Sequence, residues 1–229
     1  MSGRLLYLRV RNHALRLAFG ILHRPQRVDE MTRLGSDYGG YFVPLGRLDA
    51  ESICYSGGVG EDTTFDEALI DRIGCTVEAF DPTPRAVAHA EALASREPRF
   101  HFMPVGLWSE DTCVDFFAPA NPAHVSHSIT NLQGTTETIR VEVRRLSTVM
   151  QQLGHDHIDV LKLDIEGAEH EVIESMLRDR IRPAVLCVEF DQPVKVRALR
   201  ATLATLDGAG YTLAGADGWN YTFVRGTDG

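Results

Sequence analysis

The stretch VLKLDIEGAEH, residues 160–170, joins an apolar strand to a turn and to the start of a helix. Asp164 and Glu166 are two residues apart, so both side chains point the same way while the chain is extended. In open α/β folds, ligands bind beyond the carboxyl ends of the strands. The stretch therefore predicts an α/β sheet that presents two carboxylates at its ligand-binding edge.

A glycine-rich turn lies about a hundred residues earlier, in the segment SGGVG at residues 56–60. It follows an apolar strand and precedes a helix, and this arrangement lets backbone N–H groups approach a ligand closely. Asp81 ends the next predicted strand, 21 residues after Gly60. A carboxylate at this distance is typical of a residue that binds the ribose hydroxyls of a nucleotide. An N-terminal cap of the following helix is the alternative role.

The remaining pattern alternates strands with helices, which predicts a parallel, doubly wound sheet. Residues 111–144 form an insertion with extra strand, and residues 211–224 form a terminal antiparallel pair around a turn. The predicted strands of the sheet are 53–56, 76–80, 100–105, 160–163 and 184–190. The predicted helices are 65–73, 84–94, 146–153, 168–178 and 193–206.

Two regions are predicted, an N-terminal helical segment at residues 1–34 and a ligand-binding domain at residues 35–229. Apolar residues recur at helical spacing between Leu5 and Leu22, with arginines on the other faces. Two interpretations of this amphipathic helix are open. In the first, it packs on the domain or on a second subunit of a homodimer; in the second, it lies on an anionic membrane surface.

Composition narrows the class of protein. The net charge of -9 disfavours generic nucleic-acid binding, which needs a basic surface. No apolar run approaches the roughly 20 residues that span a bilayer, and arginines interrupt the one near the N-terminus. The four cysteines are dispersed, without the spacing of a zinc site. We therefore expect a cytoplasmic protein with reduced cysteines.

Three segments resemble the FkbM-type S-adenosylmethionine-dependent methyltransferases: ICYSGGVGEDTTFD at 53–66, EAFDPTP at 78–84 and LKLDIEGAE at 161–169. The segment DYGGY at 37–41 is similar to an upstream motif of one branch of that family. The resemblance covers roughly residues 35–195. It implies a Rossmann-like, seven-stranded sheet of the class I methyltransferase type, with S-adenosylmethionine over the carboxyl ends of its strands.

The resemblance also implies which residues contact this cofactor. The glycine turn lies under its methionine part, Asp81 binds its ribose, and the segment around Gly106 lines its adenine. Class I methyltransferases often carry an acidic residue just before the glycine turn, where this chain has Tyr55 and Ser56. Either Asp62 substitutes for it, or the amino group of the cofactor is held elsewhere. The predicted cofactor-binding residues are Ser56, Gly57, Gly58, Gly60, Asp62, Asp81, Gly106, Leu107 and Asp164.

Methyl transfer to an alcohol needs alignment of the acceptor and a base for its proton. Asp164 is the first candidate, followed by Glu166, His170 and His127. Capping of the following helix is the alternative role of Glu166 and Glu169. Glu189 and Asp191 end the fifth strand at the same edge and are candidates for binding substrate or a metal. No complete metal motif is present, because neither histidine cluster, at 124–127 and at 155–157, has zinc-site spacing.

We therefore predict O-methylation of a hydroxyl on a small molecule, a sugar or a glycan. One alternative is a nicotinamide-dependent oxidoreductase on the same kind of sheet. Another is a catalytically silent cofactor-binding module that docks through its N-terminal helix. The acceptor is not readable from the sequence, because the N-terminal segment and the insertion would select it.

Overall fold

The computed structural model describes residues 24–117, 136–190 and 196–226. The predicted helix between Leu5 and Leu22, His127 and Asp191 lie outside these ranges. Seven strands form the main sheet, in the order β11-β12-β10-β9-β3-β4-β5. They are β3 (Ile53–Gly57), β4 (Thr76–Phe80), β5 (Phe100–Met103), β9 (Val160–Leu163), β10 (Val185–Glu189), β11 (Tyr211–Asp217) and β12 (Asn220–Arg225).

Strands β5, β4, β3, β9 and β10 run parallel to one another, whereas β12 is antiparallel to both β10 and β11. All four residues of β9 are buried. A parallel sheet has both faces covered, which explains why this strand is apolar on both sides. The exception is Lys162.

Helices cover both faces of the sheet, so the predicted α/β, doubly wound architecture is confirmed. One layer holds α1 (Thr64–Ile73) and α2 (Pro84–Ala94), together with the hairpin of β1 (Thr32–Leu34) and β2 (Tyr41–Val43). The other layer holds α3 (Leu146–Leu153), α4 (Glu169–Arg178) and α5 (Val196–Gly208). Strand β1 precedes residue 35, where the predicted domain begins, and pairs with β2 inside it.

The chain reverses direction across the sheet between β3 and β9. It proceeds from β3 outward to β4 and β5, and then returns to place β9 on the other side of β3. The strands that follow β3 in the chain thus lie on one side of it and β9 lies on the other, so the order of the strands reverses between β3 and β9. A crevice opens above the carboxyl ends of these two strands. Such a switch point is the general ligand site of open α/β sheets.

The predicted strand at 100–105 is two residues longer than the observed strand β5, Phe100–Met103. Strand β5 ends at Met103, because the Val105 N–H donates to the Met103 carbonyl at 2.8 Å in a tight turn and does not continue the ladder with β4. The chain then turns, and β6 (Gly106–Trp108) enters a second sheet with β7 (Thr112–Phe117) and β8 (Thr138–Arg145), in the order β6-β8-β7. The described parts of the insertion, residues 111–117 and 136–144, therefore join β6 in a small separate sheet beside the carboxyl edge of the main one. Among the described residues, no helix is long and apolar enough to cross a membrane.

Candidate active site

A cleft lies over the carboxyl ends of β3, β4 and β9, at the switch point of the sheet. It encloses about 830 Å³, including its open mouth. Residues from five parts of the chain line it, namely the β1–β2 loop, the glycine turn, the end of β4, the second sheet and the end of β9. The lining residues are Tyr38, Gly39, Gly58, Val59, Gly60, Glu61, Asp62, Phe80, Asp81, Pro82, Thr83, Gly106, Leu107, Phe116, Lys162, Asp164, Ile165 and Glu166.

The glycine turn forms the floor of the cleft. Gly58 has a φ of +76°, and a Cβ built on it would lie 1.7 Å from the carbonyl oxygen of Asp164. Its N–H donates to the carbonyl of Phe80 at 2.8 Å, and the Asp164 N–H donates to the carbonyl of Gly57 at 3.0 Å. The ends of β3, β4 and β9 are therefore tied together, with backbone rather than side chain at the surface. Only glycine fits at position 58.

Asp81 lies at the end of β4 with 7% of its surface exposed. One carboxylate oxygen accepts a hydrogen bond from the Gly60 N–H at 3.0 Å. The other accepts from the N–H and the hydroxyl of Thr83, at 2.9 and 2.7 Å. The carboxylate thus organises the glycine turn and the start of α2 while it lines the cleft, so the two roles considered for Asp81 are compatible.

Asp62 lines the cleft at the other end of the glycine turn. Its carboxylate accepts hydrogen bonds from the Ser36 hydroxyl at 2.5 Å and from the Thr64 N–H and hydroxyl at 3.1 and 2.6 Å. Partial burial acts to raise the pKa of Asp62, but these hydrogen bonds lower it overall. Asp62 is therefore ionised, and it joins the β1–β2 loop to the start of α1.

Lys162 is a residue of the cleft that the sequence analysis did not select. It is 3% exposed, and its Nζ donates to the carbonyl of Gly58 at 2.7 Å and lies 3.5 Å from the Asp164 carboxylate. Burial acts to lower its pKa, but the charges of Asp164 and Asp66 raise it overall. The available signal was a lysine inside an apolar strand, because lysine is almost never fully buried unless it is paired.

An acidic cluster, Asp164, Glu166 and Glu189, occupies the carboxyl edge where β9 and β10 end. Val188 pairs with Leu163, so Glu189 and Asp164 are neighbours one residue further along parallel strands. Burial, the Asp164 charge and a hydrogen bond with Asp164 raise the pKa of Glu189 to about 9. Glu189 therefore holds a proton at neutral pH and shares it with Asp164.

The turn after β9 is held by Glu169, the first residue of α4. Its carboxylate accepts hydrogen bonds from the N–H groups of Ile165 and Gly167 at 3.1–3.2 Å. These contacts fix Glu166, which has a φ of 54° and lies in the left-handed region. Burial raises the pKa of Glu169 to about 8. Glu169 thus stabilises the turn that precedes α4 through N–H groups outside the helix, whereas Glu166 lines the cleft.

Three of the predicted site residues lie away from the cleft surface. Ser56 is buried in β3, and a Cβ on Gly57 would lie 2.9 Å from the Leu107 side chain. His170 stacks on Phe190, and its Nδ1 lies 2.6 Å from the Thr202 hydroxyl, on the side facing α5. Gly106 and Leu107 line the cleft as expected from the resemblance. Phe116 joins them from the second sheet, and nothing in its local sequence indicated this.

The proton on Glu189 leads to a prediction about stability. An acid whose pKa is raised in the folded state stabilises the fold fully only below its ordinary pKa of 4.5. The free energy of unfolding should therefore fall as the pH rises from 5 to 9, by up to about 1.4 kcal/mol per pH unit for each such group. Glu189→Gln should reduce this slope, measured by urea unfolding at several pH values. Glu174→Gln, at an exposed site on α4, is the matched control, and equal slopes in wild type and Glu189→Gln would contradict the shared proton.

Within the described ranges, no three histidine, cysteine, aspartate or glutamate side chains are arranged to hold a metal ion. The buried Lys162 ammonium lies 3.5 Å from Asp164 and occupies the place beside this carboxylate. The described lining of the cleft presents backbone amides, carboxylates, the Lys162 ammonium and the hydroxyls of Tyr38 and Thr83.

Comparison with known proteins identifies a family and two curated relatives. The family model described as "Methyltransferase FkbM domain" matches residues 53–213, which is more than half of the chain. The human probable methyltransferase-like protein 24 is 32% identical over 127 residues, which is 56% of this chain and 28% of that protein. The rat protein of the same name is 29% identical over 127 residues, which is 56% of this chain and 29% of its own length. The matched region thus spans less than a third of these relatives.

Solved structures that match have low sequence identity. One is fibrillarin from Aeropyrum pernix, in complex with natively bound S-adenosyl-L-methionine, at 10% identity and a TM-score of 0.44, covering 89% of this chain and 85% of that one. Another is an rRNA methylase from Streptococcus thermophilus, at 15% identity and a TM-score of 0.43, covering 80% and 92%.

Proposed function

The chain belongs to the FkbM methyltransferase family, and we propose that it transfers a methyl group from S-adenosylmethionine to a hydroxyl of a small molecule, a sugar or a glycan. The observation that supports this most strongly is the cleft at the switch point. Its floor is a glycine turn packed directly against the β9 backbone, and carboxylates lie on two of its sides.

The residues of the cleft fit this cofactor. Gly58 leaves backbone exposed where any side chain would fill the space, which suits close approach of the methionine part. Asp81 would bind the ribose, and Leu107 would line the adenine. Asp62 is an ionised carboxylate that would attract the ammonium group. S-adenosylmethionine supplies an electrophilic methyl group carried on a sulfonium.

Asp164 is the residue proposed to accept the proton of the acceptor hydroxyl. It lines the cleft beside the glycine turn, the Lys162 ammonium lies 3.5 Å from its carboxylate, and Glu189 is hydrogen-bonded to it. A base needs a fixed position within reach of the acceptor, and these two neighbours hold the carboxylate in place. Glu166 is the second candidate, since it lines the same wall.

The test is a comparison of turnover and binding in Asp164→Asn. A general base contributes roughly 100- to 10,000-fold to the rate, so formation of S-adenosylhomocysteine with an accepted substrate should fall by at least about 100-fold. Affinity for S-adenosylhomocysteine should change by much less, because the amide keeps the shape of the side chain. Undiminished turnover in Asp164→Asn would remove Asp164 from this role and leave Glu166.

A further inference from the structure

The β1–β2 loop, residues 35–40, is fixed at both ends across the mouth of the cleft. On the side of the glycine turn, the Ser36 hydroxyl donates to Asp62 at 2.5 Å and the Ser36 N–H donates to the Thr64 hydroxyl at 2.9 Å. On the side of β12, the side-chain amide of Asn220 donates to the carbonyl of Gly40 at 3.1 Å. The loop therefore bridges the two halves of the carboxyl edge.

The loop is also tightly folded. A Cβ on Gly40 would lie 2.6 Å from the carbonyl oxygen of Ser36 and 2.7 Å from that of Leu34. The Arg33 guanidinium donates to the carbonyl of Ser36 at 2.8 Å and forms an ion pair with Asp217 at 3.1 Å. At the tip, the N–H groups of Tyr38 and Gly39 donate to the Ser36 hydroxyl at 3.2 and 3.0 Å, so the loop backbone is organised before a ligand arrives.

Tyr38 lies at this tip and lines the cleft, yet 82% of its surface is exposed. Among the described residues, Val28 is the other large apolar side chain in the exposed class, and it is 37% exposed. An aromatic ring held in solvent on a fixed loop offers a flat apolar face for a ligand to stack on. Its position at the mouth of the cleft points to the methyl acceptor as that ligand.

Carboxylates line the cleft together with Tyr38, at Asp62, Asp164 and Glu166. Partial removal from water raises the pKa of Tyr38, and the nearby carboxylates add to this effect. An anionic acceptor would be repelled by this wall. An amine would be held in its protonated form, which has no lone pair for methyl transfer. An uncharged hydroxyl can donate hydrogen bonds to the same carboxylates, and several hydroxyls on one ring can engage several of them.

We propose that the acceptor is an uncharged sugar ring that stacks on Tyr38 and donates hydroxyl hydrogen bonds to Asp164 and Glu166. The proposal rests on the proposed methyltransferase function and specifies its substrate class. A sugar fits both sides of the cleft, because its C–H face is apolar and its rim carries hydroxyls. A phenol would satisfy Tyr38 but would offer a single hydroxyl to the acidic wall.

Saturation-transfer NMR on the full chain, with S-adenosylhomocysteine present, tests this proposal. The probes are neutral methyl hexopyranosides, with glucuronate and phenol as anionic and aromatic comparisons. We expect transfer to the ring protons of at least one methyl hexopyranoside and weaker transfer to both comparison probes. Tyr38→Ala should lower affinity for that glycoside by about tenfold, and Tyr38→Trp should keep it within about twofold. Val28→Ala is the matched control and should behave as wild type.

Preferential binding of glucuronate or phenol would overturn the proposal, as would equal glycoside binding by wild type and Tyr38→Ala. Absence of transfer to every neutral glycoside, in a sample that binds S-adenosylhomocysteine, would overturn it while leaving the methyltransferase function intact. Failure to bind S-adenosylhomocysteine, measured separately by calorimetry, would count against the proposed function itself.

Discussion

Gly58→Ala is expected to abolish cofactor binding and to lower the free energy of unfolding by about 3 kcal/mol or more. The added methyl group would lie 1.7 Å from the carbonyl oxygen of Asp164, and this oxygen belongs to backbone, which cannot rotate away. The clash can be relieved only if the turn after β3 separates from the end of β9. These two segments form the floor of the cleft, so stability and ligand binding should be lost together.

Gly154→Ala is the matched control for this variant. Gly154 ends α3 with a φ of +73°, close to the +76° of Gly58, but a Cβ there would meet nothing within 4 Å. The control therefore carries the backbone strain without the clash, and it should cost about 1 kcal/mol with unchanged affinity for S-adenosylhomocysteine. Urea unfolding and calorimetric titration measure the two effects. Equal losses in the two variants would mean that the close contact between the turn and β9 contributes nothing.

Lys162→Met is expected to destabilise the fold by about 3–5 kcal/mol, the usual cost of removing one partner of a buried ion pair. The lysine is 3% exposed, and its ammonium is bonded to the Gly58 carbonyl and lies close to Asp164. Asp66 is fully buried in α1, where burial raises its pKa to about 6 while the Lys162 charge acts in the opposite direction. Without the lysine, two carboxylates lose their compensating charge.

The double variant Lys162→Met/Asp66→Asn separates charge from packing. Removing the Asp66 charge should restore part of the stability at pH 7, as measured by urea unfolding, because one uncompensated buried carboxylate is gone. Affinity for S-adenosylhomocysteine should be lower than in wild type in both variants, because both lack the hydrogen bond from Lys162 to the Gly58 carbonyl. A double variant no more stable than Lys162→Met would show that the loss is due to packing around the lysine stem.

The sequence predicts the parallel core of the fold well because each strand there is a short apolar run bounded by a turn. The predicted limits of β4 and β9 agree with the observed ones, and β3 extends one residue beyond its prediction. The error at β5 has a physical cause, since the chain makes a tight turn from Met103 to Val105 and β6 joins a second sheet. Where the ladder ends depends on pairing between distant segments, which periodicity does not encode.

Some residues of the candidate site are likewise predictable from the sequence, and others are not. Gly58, Asp81 and Asp164 follow directly from strand ends and from a spacing of 21 residues between Gly60 and Asp81. Tyr38, Lys162 and Phe116 do not, because their places in the cleft depend on how a hairpin, a buried strand and the second sheet approach the edge. His170 was a candidate from its position after Glu169, but the rotation of α4 directs it toward Thr202. The predicted roles of the cleft residues in binding and catalysis stay predictions.

Calorimetric titration of the full chain with S-adenosylhomocysteine, and in parallel with NAD and NADP, decides whether this cleft is a methyltransferase site. We expect saturable binding of S-adenosylhomocysteine at a single site and no binding of either nicotinamide nucleotide. Binding of NAD or NADP in its place would contradict the account and favour an oxidoreductase on the same sheet.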